Sequence, residues 1–400
     1  MNTIVKAASA AEFLSLVPRM LGYVPTRSLV LVAFEGSRSL GALRFDLPDG
    51  SSDSVDRVAA TVVGMVCRLA AADAVAVIAY TDESFDGGRM PHLDVFDAIH
   101  RRTDACGLRT SDALCVAADG WASRFDADTP AGGRPLAELD AVPVGAEGID
   151  VAAHDQAGGA DLPAVDFAEK ERVGRALRDL ERAVAVVCGG SEPGAAGVTG
   201  ARNDVGDESE APGTLEEEDR VDPLALSAVG ALDDLPALFD EALEWRPDAL
   251  DPYEAATLAW CLARPALRDV ALVQWTGTIV DGDEALDGQL RWESGEEYPT
   301  HLAMRLWGEG DRPDPDRLET ALELTRRLAA SAPRAARAGA LSMCAWLSWA
   351  LGRSTHADRY AAEACAIEPE HGLSEIVRSF VAAGHLPDWA FRAPSASGAR

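Results

Sequence analysis

Three short, continuous apolar runs constrain the fold of this chain more than any other feature of its sequence. They are SLVLVAF at residues 28–34, AVAVIAY at residues 74–80 and ALCVAA at residues 113–118. Runs of this length that do not alternate with polar residues are typical of strands buried on both faces of a sheet. Helix-like patterns lie between them, so the amino-terminal part is expected to be an α/β domain.

The segments around these runs predict helices and one further strand. Apolar residues recur at helical spacing over residues 9–20, 53–72 and 92–107, and residues 40–47 alternate loosely, as a hairpin strand would. Strands that are linked by helices usually pair in parallel. We therefore expect a mostly parallel sheet with one antiparallel hairpin strand at an edge and with helices on both faces.

Candidate functional residues follow the three apolar strands. In an open parallel sheet, ligands bind beyond the carboxyl ends of the strands. Carboxylates grouped there could bind a divalent cation or transfer protons, whereas the loops of an acidic protein also carry such residues without a function. The residues that parallel strands would bring to this edge are Glu35, Asp82, Glu83, Asp119 and Trp121.

The segment that enters the first strand is expected to lie at the opposite edge of the sheet. Gly22 can end the first helix in a left-handed conformation, and Pro25 gives the chain a rigid entry into the strand. These are sufficient structural reasons for both residues, so no chemistry is predicted at residues 22–28, although Arg27 and Ser28 could still cap an element or contact a partner.

A sharp change of composition predicts a linker between two domains. Residues 189–222 contain many glycines, few large apolar residues and an acidic run at residues 216–219. Such a segment cannot bury enough surface to become ordered. The sequence therefore predicts an α/β domain at residues 1–188, an acidic flexible linker at residues 189–223 and an all-helical domain at residues 224–400.

One hairpin of the helical domain resembles a tetratricopeptide unit. The segment ALSMCAWLSWALGRSTHADRYAAEACAIEPEH places small residues where two antiparallel helices would pack closely. A solenoid needs about three such repeats and one convincing unit is found, so ordinary packing of a helix hairpin, with Trp346 and Trp349 in its core, is favoured over a peptide-binding groove. Residues 281–299 are expected to form an acidic loop, whose spacing does not fit a calcium-binding loop.

Charge and cysteine content exclude several classes of function. The net charge of −30 repels phosphate backbones and anionic membranes, so we expect no nucleic-acid partner and no membrane partner. The seven cysteines are scattered and form no C-x-x-C, which argues against a disulfide framework and against zinc. No signal peptide and no membrane-spanning apolar stretch is recognised, so a cytoplasmic location is expected.

The segments LGYVPTRSLVLVAF and LRFDLP resemble the actinobacterial family known as domain of unknown function 4192. Its members tend to open with Leu-Gly-Phe-x-Pro-x-x-Ser-Leu-Val and to have a later Asp-x-Pro. A Trp-Ser pair followed by Cys-Cys-Pro is frequent in the family, but here Trp121 and Ser123 are not followed by those cysteines, so no metal or redox role is implied. The resemblance implies a fold and a lineage but no activity. The matching residues are Leu21, Gly22, Pro25, Ser28, Leu29, Val30, Asp46 and Pro48, with Tyr23 in place of Phe.

Two functional hypotheses remain open at this point. No glycine-rich phosphate loop and no nucleophile elbow occurs, so the cofactor, if there is one, is unknown. The leading hypothesis is a non-enzymatic cytoplasmic protein whose helical domain binds a partner protein. The alternative is a small-molecule or divalent-metal-dependent enzyme with its site at the carboxyl edge of the sheet.

Overall fold

The chain folds into two compact units. The computed structural model describes residues 7–85, 88–141, 146, 151, 154–189 and 221–392. The division between the units falls between Gly159 and Ala160. The predicted flexible linker lies almost entirely outside the described residues.

The first unit is built on a five-stranded mixed sheet. Its strands are β1 (Ser28–Glu35), β2 (Arg38–Asp46), β3 (Ala74–Tyr80), β4 (Arg109–Val116) and β5 (Trp121–Ser123). Their order across the sheet is β2-β1-β3-β4-β5. The three apolar runs thus coincide with β1, β3 and β4, which form the centre of the sheet and are covered on both sides.

The prediction of a mostly parallel sheet is wrong. Of the pairings between these strands, that of β3 with β4 is parallel, whereas β1 is antiparallel to both β2 and β3, and β5 is antiparallel to β4. The hairpin reverses the chain before the first helical connection. The strands joined by that connection are therefore β2 and β3, which run in the same direction with β1 between them.

Helices cover both faces of this sheet. Helix α1 (Ala10–Leu21) packs on one face, and α2 (Ser52–Cys67) and α3 (Leu93–Ala105) pack on the other. Gly22 ends α1 with a φ of +82°, as predicted from its position after the apolar stripe. The sheet is thus the middle layer of three.

The second unit is helical. Its helices are α4 (Phe167–Val187), α5 (Pro223–Gly230), α6 (Leu235–Ala242), α7 (Pro252–Leu262), α8 (Pro265–Thr276), α9 (Ile279–Glu293), α10 (Thr300–Leu306), α11 (Pro315–Ser331), α12 (Arg337–Ala350), α13 (Ser354–Cys365) and α14 (Gly372–Ala383). Helix α4 packs against α5 and α7. The predicted first domain, residues 1–188, therefore includes a helix that packs within the second unit.

None of the helices in the described residues is both long enough and apolar enough to cross a membrane. A cytoplasmic location and the absence of a nucleic-acid partner stay predictions from the sequence.

Helix α9 occupies most of the segment that was expected to be an acidic loop, so that expectation is wrong. The side chain of Asp281 accepts a hydrogen bond of 2.7 Å from the backbone N–H of Thr278, and Thr278 in turn caps the helix. The buried face of α9 consists of Gly282, Ala285 and Gly288. Residues this small give almost no apolar periodicity, and the acidic residues between them therefore dominated the pattern.

Two tryptophans of α12 lie in the core of the second unit. Trp346 and Trp349 are fully buried, which confirms the prediction that they are core residues. The Nε1 atom of Trp346 donates a hydrogen bond of 2.9 Å to the carbonyl of Leu306, and that of Trp349 donates one of 2.8 Å to the carbonyl of His385. Both indoles therefore fix α12 against neighbouring segments.

Candidate functional site

A cavity of about 520 Å³ opens at one edge of the sheet of the first unit. It lies where the carboxyl ends of β2 and β3 flank the amino end of β1, because Ser28 pairs with both Asp46 and Tyr80. We call this cavity the rim pocket. It is lined by Arg27, residues 46–48, residues 81–83, His92 and Gln156.

Asp82 and Glu83 bring two carboxylates to the rim pocket. The Oδ2 atom of Asp82 lies 3.9 Å from the Nε atom of Arg27, and the Oε1 atom of Glu83 lies 3.7 Å from the Nε2 atom of His92. Both carboxylates are mostly exposed, so these two contacts are weak. A ligand could therefore exchange either contact for a closer one at little cost.

Glu35 does not join the other predicted site residues. It lies at the far end of β1, where it pairs with Arg38 across the hairpin, and its neighbour Phe34 pairs with Ala74 at the amino end of β3. The antiparallel direction of β1 therefore places Glu35 at the edge opposite to the rim pocket.

Asp119 and Trp121 lie close to this edge but serve the fold. The Oδ1 atom of Asp119 accepts a hydrogen bond of 3.0 Å from the backbone N–H of Phe85, which holds the loop after β3 in place. Trp121 is 4% exposed, and the guanidinium of Arg134 lies over its ring at 5.8 Å from the centroid. Both lie outside the set of residues that line the rim pocket.

Two residues of the rim pocket have a strained backbone. Arg27 has a φ of +43° and His92 a φ of +57°. No other non-glycine residue of the described chain has a positive φ. A residue with a side chain is held in this conformation at a cost of roughly 1–3 kcal/mol, and such residues cluster at functional sites.

His92 stands at the start of α3 with 13% of its side chain exposed. Its Nε2 atom lies 3.0 Å from the hydroxyl of Thr81 and faces the carboxylate of Glu83. Both neighbours approach the same ring nitrogen, whereas a Ser-His-Asp triad uses one nitrogen for the nucleophile and the other for the carboxylate. The arrangement of Thr81, His92 and Glu83 therefore differs from that of a Ser-His-Asp triad.

Neither a metal cluster nor a reactive thiol is present among the groups described near the rim pocket. In the described ranges, no three His, Cys, Asp or Glu side chains are placed so that they could hold a metal ion. Burial raises the pKa of the Cys115 thiol to about 12, and the nearby carboxylates of Glu83 and Asp119 add to the rise. Because the thiolate is the nucleophile, Cys115 is inert at neutral pH.

Sequence reasoning missed Arg27, His92 and Gln156. The side-chain amide of Gln156 accepts a hydrogen bond from the N–H of Thr26 and donates one to its carbonyl, both of 3.1 Å, which fixes the backbone beside Arg27. The expectation of no chemistry at residues 22–28 assumed that β1 is parallel to its neighbours. The available signal was the family-like segment itself, since Arg27 within it and the later Asp46-x-Pro48 meet at this edge.

Comparison with known proteins gives one match. The model of a family described as "Domain of unknown function (DUF4192)" matches residues 11–286, which is more than half of the chain and contains every residue of the rim pocket. No curated protein and no solved structure matches the chain. The match ends within α9 and does not extend to the helices that follow it.

Proposed function

This chain belongs to the DUF4192 family, and we propose that its rim pocket binds a small polar molecule that carries a positively charged nitrogen. The observation that carries this proposal is that Arg27 and His92, the two non-glycine residues of the described chain with left-handed backbone, line one and the same cavity. Strained backbone conformations of this kind cluster at functional sites, where the side-chain positions that they create serve a function. An enzyme working at this edge, the alternative function, would bind its substrate in the same pocket.

The charge of the rim pocket favours a cationic ligand. Among the described residues that line it, Asp46, Asp82 and Glu83 carry carboxylates and Arg27 carries a guanidinium. Asp46 is already paired with Arg44 at 2.7 Å, which leaves the two carboxylates after β3 as the stronger ligands. A ligand ammonium or guanidinium could form short, charge-assisted hydrogen bonds with them. The volume of the cavity lies in the range that small metabolites occupy in proteins.

Neutralising either carboxylate should weaken binding. Asp82→Asn or Glu83→Gln is expected to reduce the affinity for a cationic probe about fivefold to tenfold, because such a bond contributes roughly 1–1.4 kcal/mol. Isothermal titration calorimetry of the full chain with putrescine, guanidinium chloride and ethylammonium chloride measures this change.

Asp104→Asn provides the matched control. It removes one exposed carboxylate from the carboxyl end of α3, outside the rim pocket, and should leave the affinity unchanged. The proposal is contradicted if the wild-type chain binds none of the three cations. It is equally contradicted if Asp82→Asn and Glu83→Gln bind them as tightly as Asp104→Asn does.

We further propose that the helical unit binds a partner protein and that α12 and α13 form a tetratricopeptide-like hairpin. The contact between these helices supports the second part. Ala357, Ala361 and Ala364 of α13 are fully buried, and α13 packs against α12. Small residues at these positions allow the close helix approach on which such hairpins depend.

Exposed apolar side chains support the partner hypothesis. Contiguous apolar surface is used in protein interfaces, where tryptophan is enriched. From α9 onwards, several large apolar side chains in the described part of the second unit are at least half exposed. They are Val280, Leu290, Trp292 and Trp307.

The double variant Trp292→Ala/Trp307→Ala should lose a protein that the wild-type chain retains. Immobilised full-length chain and a cell extract, compared by quantitative mass spectrometry, measure the loss, which is expected to be about tenfold or more because exposed aromatic anchors dominate interfaces. Phe125→Ala removes an equally exposed aromatic side chain from the first unit and serves as the control. If every retained protein binds the double variant and Phe125→Ala alike, the helical unit has no partner at this surface.

A further inference from the structure

Cys67 and Cys106 lie side by side in the first unit. Cys67 is the last residue of α2, and Cys106 directly follows α3. Helices α2 and α3 pack against each other on the same face of the sheet, and they do so with their carboxyl ends together. The Cys106 thiol is close enough to Cys67 to contribute to the raised pKa of the Cys67 thiol.

This thiol pair is accessible to solvent. Cys67 and Cys106 are both free and exposed, whereas Cys115, Cys261 and Cys344 are buried. The backbone N–H of Cys106 bonds to the carbonyl of Arg102 at 3.0 Å, so the end of α3 fixes its position. Both thiols are therefore exposed at neighbouring ends of two packed helices, where they can react with one another.

We propose that Cys67 and Cys106 form a redox site, which low-molecular-weight disulfides oxidise to an intramolecular disulfide. The thiolate of one cysteine attacks a sulfur of the oxidant, forms a mixed disulfide and displaces one low-molecular-weight thiolate. The thiolate of the other cysteine then attacks the protein sulfur of that mixed disulfide and displaces the second. The leaving thiolates take up the two protons that the cysteines lost, and the oxidant gains the two electrons.

The reaction should accelerate with pH. Burial and the neighbouring Cys106 thiol raise the pKa of Cys67 above its usual value. Because the thiolate is the attacking species, its concentration, and with it the rate, should rise up to about tenfold per pH unit below that pKa.

Oxidation of the full-length protein with oxidised glutathione tests the proposal. After oxidation, free thiols are alkylated, and the digest is analysed by mass spectrometry without reduction. The expected product is a pair of peptides joined through Cys67 and Cys106. A neighbouring thiol acts at an effective concentration of millimolar or more, so glutathione adducts on these two residues should be at least about tenfold less abundant than the cross-link.

Single variants separate the pair from the other exposed cysteine. Cys67→Ser and Cys106→Ser should each abolish the cross-link and leave a stable glutathione adduct on the remaining thiol, whereas Cys188→Ser should leave the cross-link unchanged. Far-UV circular dichroism verifies that each variant is folded. The proposal is overturned if wild-type Cys67 and Cys106 both keep stable glutathione adducts, or if they join two chains rather than one.

Discussion

Replacing Trp346 with alanine is expected to lower the free energy of unfolding by about 4 kcal/mol. The indole is fully buried in α12, and its Nε1 atom donates a hydrogen bond to the carbonyl of Leu306 at 2.9 Å. Its ring packs edge-on to that of Trp349, with 5.7 Å between centroids. The substitution leaves a cavity and an unpaired carbonyl, and both are destabilising. Urea denaturation followed by far-UV circular dichroism measures the loss.

Trp292→Ala is the matched control for this prediction. Trp292 is 57% exposed at the end of α9, so its removal should change the free energy of unfolding by no more than about 0.5 kcal/mol. A loss below about 1 kcal/mol for Trp346→Ala would contradict the burial of α12 in the core. Interaction experiments should therefore use variants of the exposed tryptophans. Trp346→Ala would destabilise the fold, so a loss of binding in that variant would not identify a binding surface.

The central strands of the first unit could be predicted because burial on both faces leaves a simple pattern. A strand that is covered on both sides needs apolar side chains at every position, and this holds for all of β3, for residues 29–34 of β1 and for residues 113–116 of β4. The same pattern does not encode direction, since a fully buried strand reads alike in parallel and antiparallel pairs. The direction of β1 therefore depends on where the hairpin of β1 and β2 lies in the sheet. Because β2 was treated as an edge strand added to a parallel sheet, β1 was predicted to be parallel to β3, whereas it is antiparallel to β3.

Part of the rim pocket could be predicted for the same reason. Asp82 and Glu83 follow β3, whose direction was correctly inferred, so they lie at the edge where a ligand was expected. Glu35 lies at the end of β1, so the wrong direction predicted for β1 also placed Glu35 at the wrong edge of the sheet. Arg27 and His92 could not be found, because a left-handed backbone at a residue with a side chain has no local sequence signature. Gln156 comes from a segment without periodicity.

Contacts between segments that are far apart in the chain could not be predicted from the sequence. Cys67 and Cys106 form no motif and meet because α2 and α3 connect strands of one sheet across the same face. Helix α9 was missed for another reason. Its buried face consists of glycine and alanine, which fit close packing but carry little apolar signal.

Substituting alanine for Gly339 is expected to lower the free energy of unfolding by about 2 kcal/mol, although alanine is the better helix former. Gly339 lies in α12, which packs against α7. A Cβ atom at this position would overlap the carbonyl group of Leu262 and lie 2.9 Å from the backbone nitrogen of Ala263. These are backbone atoms that cannot rotate away, so the two helices would have to separate.

The same substitution at Gly230 isolates this packing effect within the helical unit. Gly230 is exposed, has a helical φ of −59° and would place its Cβ atom with nothing within 4 Å. Gly230→Ala is therefore expected to raise the free energy of unfolding by about 0.5 kcal/mol, because alanine restricts the unfolded chain. Urea denaturation measures the free energy of unfolding of both variants. A loss for Gly339→Ala together with a gain for Gly230→Ala would show that the loss comes from the close approach of α7 and α12. A gain at both positions would contradict that approach, since only a wider separation of the helices leaves room for the added methyl group.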